Sequence, residues 1–139
     1  MKVTGQESFY FEMDGLACNY TMYFPMIFDH RFNIAAYKKS VDYLLQQVPH
    51  LKCRYEDHFR RPRWKEIDGF NVESLFVTKS IPENPECDVK SFYKDAMDTF
   101  VQMENKSIDM EKEPPIKFKV IFSGNRTMVV LCIHHSIAD

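Results

Sequence analysis

The sequence predicts a layered α/β domain, a mixed β-sheet with helices packed on it, and three observations carry that prediction. Two stretches, 33–48 and 89–104, repeat apolar residues at helical spacing. Short runs of aromatic and β-branched residues lie before, between and after them, bounded by Gly, Pro, Asn and Asp. The last run, 128–133, is apolar throughout, which suits a strand covered on both faces. Helices alternating with strands that end in a hairpin require a sheet with helices laid against it.

Residues 20–28, Tyr-Thr-Met-Tyr-Phe-Pro-Met-Ile-Phe, read as the first strand, with Met22, Phe24, Met26 and Phe28 on one face. Pro25 has no N–H to give a ladder, so this strand belongs at an edge or on a bulge. The first helix places Ile34, Tyr37, Val41, Leu44, Leu45 and Val48 on its apolar stripe, with Asn33 as N-cap and Pro49 as stop. The second, capped by Asp88, buries Val89, Phe92, Ala96, Met97, Phe100 and Val101. Short strands are expected near 51–55, 64–67 and 75–77, punctuated at Asp68-Gly69, Pro82 and Pro85. Ile116, Phe118, Val120 and Phe122 alternate with Lys117 and Lys119, which predicts a strand with one wet face. Ser123-Gly124-Asn125-Arg126 turns it into the final strand.

A chain of 139 residues fits one domain, 1–139, and buries a sizeable core. Hydrophobic residues at 45% against 27% charged rule out a disordered composition. A net charge of -2, with only the short basic run 60–63, offers no nucleic-acid footprint. No apolar run approaches the roughly 20 residues of a membrane span, and residues 1–8 lack the apolar core of a signal peptide. Cys18, Cys53, Cys87 and Cys132 stand far apart without metal-ligand spacing, so reduced thiols in a cytoplasmic protein are expected. The twelve Phe fill a large core, with some apolar area left exposed if part of the domain is missing.

The core strand runs into His134-His135-Ser136-Ile137-Ala138-Asp139. Two polar rings at the end of a buried strand need partners, because burial without them is costly. Neighbours on a strand point to opposite faces, so one histidine packs inward while the other looks into a cleft. The same geometry speaks against a metal site or a metal-dependent hydrolase built on His134, His135 and Asp139. The ordinary alternative is a pair of structural histidines.

His-His-x-x-x-Asp at the end of a core strand resembles the signature of the condensation-domain and chloramphenicol-acetyltransferase-like superfamily. That group includes peptide-synthetase condensation domains, wax-ester synthases and alcohol acetyltransferases. Pro49-His50-Leu51-Lys52-Cys53-Arg54-Tyr55, after the first long helix, is similar to the family's H-P-x-L-R-x-R-F segment. Ile108-Asp109-Met110 and Pro114-Pro115-Ile116-Lys117-Phe118 look like its approach to the strand before the histidines. The family's Ser-x-Ala-Gln segment is not legible near 7–13, and its second half, with an Asp-Phe-Gly-Trp-type motif, does not follow. The resemblance therefore implies the amino-terminal half of such a fold, as a fragment or one piece of a split protein.

What the resemblance implies chemically is acyl transfer from a coenzyme A or carrier-protein thioester to an alcohol or amine. Acyl-CoA or a phosphopantetheine thioester would be substrate, with no permanently bound cofactor. His135 matches the general base, a role that suits a side chain titrating near neutral pH. Arg54 matches an arginine that pairs with the motif's aspartate, here Asp139, in a two-pronged bond that holds the loop. His134 packs and bonds to backbone. Asp139 as a second base, Arg54 as a solvated charge, and Ser136 as loop cap or as half of a Ser-His dyad remain the alternatives. His30, His50 and His58 are expected at the surface and Trp64 in the core. The expected partners are the thioester, a small acceptor, and either the missing half or a second copy. A non-catalytic docking module with the same fold is the competing function.

Overall fold

The computed structural model describes residues 1–14, 20–57, 62–84, 88–103 and 108–137. At its centre is a four-stranded sheet of β1 (Thr21–Phe28), β6 (Arg126–His134), β5 (Ile116–Ser123) and β4 (Phe76–Ser80), side by side in that order. β6 pairs antiparallel with both β1 and β5, and β4 runs parallel to β5, so the sheet is mixed. β2 (Cys53–Glu56) and β3 (Arg63–Glu66) form a separate antiparallel pair. The helices are α1 (Gly5–Met13), α2 (Ile34–Gln47) and α3 (Val89–Met103).

Local chemistry explains the boundaries. The Asn33 side chain accepts the Ala36 N–H at 3.0 Å and opens α2. Pro49 then starts a short 3₁₀ turn, Pro49–Lys52. Asp88 accepts the Ser91 N–H at 2.7 Å and caps α3. Gly124, at φ 54°, supplies the left-handed residue of the β5–β6 turn.

The sheet is covered on both sides. Val41 and Leu45 of α2 pack on one face against Ile116, Phe118, Val120, Phe122 and Val129. Phe92, Ala96 and Phe100 of α3 pack on the other against Ile121, Met128, Val130 and Cys132, in a cluster that includes Tyr55 and Trp64 of the small sheet. The central place of β6 and the edge position of the Pro25 strand agree with the sequence pattern. Tyr23, Phe24 and Met26 of β1 remain exposed. Among the described residues no helix is long and apolar enough to cross a membrane.

Several expectations need correcting. Val89 and Val101, expected in the buried stripe of α3, are exposed, and so are Leu44 and Val48 of the α2 stripe. The wet face expected on β5 is covered by α3, and Lys119 is only 3% exposed. Its ammonium lies 5.3 Å from the centre of the Phe100 ring, and its long stem lines the apolar layer. Lys117 is half-buried and pairs with Glu113 at 2.7 Å. Helix α1 was not expected, because Phe9, Tyr10 and Phe11 are consecutive and show no helical spacing. It opens with a capping box. The Thr4 N–H donates to the Glu7 carboxylate, and the Glu7 N–H donates to Thr4 Oγ1 at 3.3 Å.

Candidate functional site

The ladder of β6 carries the histidine pair to a fixed place. Thr21 stands opposite His134 in the β1–β6 register. The His134 N–H donates to the Pro115 carbonyl at 2.9 Å, and the His135 N–H to the Tyr20 carbonyl at 2.8 Å. Both histidine backbones are therefore held, one from each neighbouring segment.

Strand alternation puts the His134 side chain on the face that α3 covers, where it is fully buried. Its Nδ1 is 2.8 Å from Ser136 Oγ and accepts the Ser136 N–H at 3.2 Å. Its Nε2 is 3.5 Å from Asp14 Oδ2. Burial lowers the His134 pKa below the ordinary histidine value; the Asp14 charge and hydrogen bond oppose this, and His135 adds to it. The buried ring is thus neutral at neutral pH.

His135 begins the 3₁₀ turn His135–Ile137 and is half-buried. Its imidazole stacks on Tyr10 of α1, with 4.4 Å between ring centroids and 25° between planes. Tyr20 meets it edge-on at 6.5 Å, and Tyr10 meets Tyr20 edge-on at 5.3 Å. His135 Nδ1 is buried and finds no hydrogen-bond partner among the described residues.

Arg54 lies on β2, where Nη1 donates to the Glu111 carbonyl at 3.0 Å and Nη2 to Glu56 Oε1 at 3.3 Å. Glu56 also binds Arg63 and Lys65, and these cations hold its carboxyl below the usual range. Asp139, the expected partner of Arg54, and His58 lie outside the described residues. His30 is exposed, while His50 is half-buried with its ring edge-on to Trp64 at 6.3 Å. Trp64 itself is core. Cys53 and Cys132 are buried free thiols. Among the described residues no group of three His, Cys, Asp or Glu is placed to hold a metal ion.

The structure adds Tyr10, Asp14 and Tyr20 to the site, all remote in sequence from the histidines. The Thr4–Glu7 capping box announces α1, the helix that carries Tyr10, but nothing in the sequence near Asp14 or Tyr20 marks their meeting with the histidines. A polar cavity of about 200 Å³, lined by Asp29, Glu83, Asp95, Ser123 and Arg126 among others, sits at the opposite end of β6.

No family model matches the chain, and no curated protein matches it. Solved structures do. A variant of the starter condensation domain of rhizomide synthetase RzmA has a TM-score of 0.67 at 11% identity, over 99% of this chain and 33% of that one. The wax ester synthase/diacylglycerol acyltransferase of Marinobacter aquaeolei VT8 has 0.65 at 14% identity, over 100% and 35%. The X-domain solved in complex with OxyB from teicoplanin biosynthesis has 0.72 at 9% identity, over 96% and 27%. The chain thus spans roughly a third of the length of the structures it matches, and at such low identity the likeness concerns fold alone. The mixed sheet, its two helical covers and these neighbours together show that the chain has part of the condensation-domain fold.

Proposed function

We propose that the chain is the amino-terminal part of an acyltransferase. It would move an acyl group from a coenzyme A or carrier-protein thioester to an alcohol or amine, with His135 as general base. The observation that carries this reading is the placement of His135, the first residue beyond the central strand, in a fold shared with a condensation domain and a wax ester synthase. Its role is to take the acceptor's proton as the nucleophile attacks the thioester carbon. His134 supports the loop from inside, and Arg54 with Asp139 would clamp its far end. Alone, the chain would have weak activity or none.

The test is thiol release and product formation from acetyl-CoA and from an acyl-pantetheine thioester, with a panel of alcohols and amines. It is run on this chain and on any longer protein that contains it. Acceptor-dependent thiol release that His135→Ala abolishes supports the reading. Equal rates in wild type and His135→Ala remove His135 from the mechanism.

A non-catalytic docking module is the second reading, and one observation favours it. Tyr10 lies flat on the imidazole that would act as base. The X-domain of similar fold was solved with OxyB as its partner. Exposed Tyr23, Phe24 and Met26 would then serve as contact surface.

A further inference from the structure

We propose that Asp14 is a positioning residue for the histidine pair: its carboxylate holds the Nε2 proton of His134 and ties the end of α1 to the loop that carries His135. The inference deepens the acyl-transfer reading and rests on it only for the effect on turnover.

The hydrogen bonds of the His134 ring decide its tautomer. The Ser136 backbone N–H lies 3.2 Å from Nδ1, and a backbone N–H is always a donor, so Nδ1 holds the lone pair. Ser136 Oγ, 2.8 Å from the same nitrogen, therefore turns its hydroxyl hydrogen towards it. The single proton of the neutral ring is left on Nε2. That nitrogen is fully buried, where a donor without an acceptor is costly. Among the described residues no group meets hydrogen-bond geometry there, and the carboxylate oxygen that faces it is Asp14 Oδ2 at 3.5 Å.

The other oxygen of Asp14 has its own task. Oδ1 accepts the Tyr20 N–H at 3.2 Å, and the Tyr20 carbonyl accepts the His135 N–H at 2.8 Å. One carboxylate therefore reaches both histidines, His134 through its ring and His135 through the backbone of Tyr20. Tyr10, four residues before Asp14 on the same segment, stacks on His135. The histidine loop is thus registered against α1 from both faces of the strand end.

Imidazole nitrogen resonances of the nitrogen-labelled chain read the tautomer directly. His134 is expected to carry its proton on Nε2 with Nδ1 bare. Asp14→Asn keeps an acceptor oxygen and should keep that tautomer. In Asp14→Ala the Nε2 proton should exchange with water about tenfold faster, and the His135 resonances should move with it. A wild-type His134 protonated on Nδ1 overturns the proposal, as does unchanged exchange in Asp14→Ala. If the alanine variant does not fold, Asp14→Asn decides: its amide oxygen accepts more weakly than a carboxylate, so the Nε2 proton should exchange faster than in the wild type, and unchanged exchange overturns the proposal. In the acyl-transfer assay, Asp14→Ala should lower kcat about tenfold at unchanged KM, with most of it recovered in Asp14→Asn. Loss confined to KM would contradict a positioning role. A wild type without turnover removes the acyl-transfer reading and leaves the exchange result to judge Asp14.

Discussion

The Tyr10 ring lies nearly parallel to the His135 imidazole, 4.4 Å between centroids, although 125 residues separate them in the chain, the difference of the two residue numbers. Tyr10→Ala should uncover one face of the imidazole and speed its reaction with diethyl pyrocarbonate. Stability should fall by about 1 kcal/mol for the lost ring contact, together with the packing it carries. Tyr10→Phe should leave both unchanged. If Tyr10→Ala and Tyr10→Phe react at one rate, the ring does not shield His135.

His134 makes stability depend on pH with a definite sign. Its folded pKa is lowered, chiefly by burial, whereas an unfolded histidine titrates near about 6.5. Between the two values the unfolded chain binds the extra proton, so stability rises with pH across that window and is lost as pH falls through it. Denaturant midpoints should therefore drop on going from about pH 7 to about pH 5.5, and His134→Gln should flatten the slope. Glu56, Asp88 and Asp109, whose carboxyls are held below their usual range by their partners, act only at more acid pH. An identical slope in His134→Gln would assign the window to another group.

Arg54 and Asp139 are best tested as a pair. The partners described for Arg54 are the half-buried Glu56 and a backbone carbonyl. A double-mutant cycle of Arg54→Ala and Asp139→Ala should give a coupling above about 1 kcal/mol if the two clamp the loop. Additive losses would dissolve the clamp.

The exposed edge of β1 should promote self-association. Tyr23, Phe24 and Met26 present apolar surface on a strand that has no neighbour on its outer side among the described residues. Sedimentation at rising concentration should show a shift towards dimer that Phe24→Lys reduces. A monomer at every concentration would contradict this.

Much of the scaffold was legible because burial imposes period on sequence. α2 and α3 show three- and four-residue spacing and side-chain caps at Asn33 and Asp88. The continuous apolar run in β6 reported a strand covered on both sides, and Pro25 reported an edge. Lys119 misled, because a lysine stem can lie in an apolar layer while its ammonium sits over Phe100. Strand alternation set the two histidines on opposite faces, and the family resemblance chose His134 as the one turned inward, where it is buried. Asp14, Tyr10 and Tyr20 were not legible, since nothing local in sequence records that α1 and the start of β1 meet the end of β6.

That meeting sets the order of events during synthesis. Thr21 pairs with His134 across nearly the whole chain, so β1 leaves the ribosome long before its partner strand exists. Until then its tyrosine, phenylalanines and methionines have no sheet to join, and an unpaired apolar strand is prone to aggregate. Contacts this distant also slow folding. The histidine site therefore cannot form before β6 has emerged, and a chain stalled short of β6 would carry a sticky segment without the histidine pair.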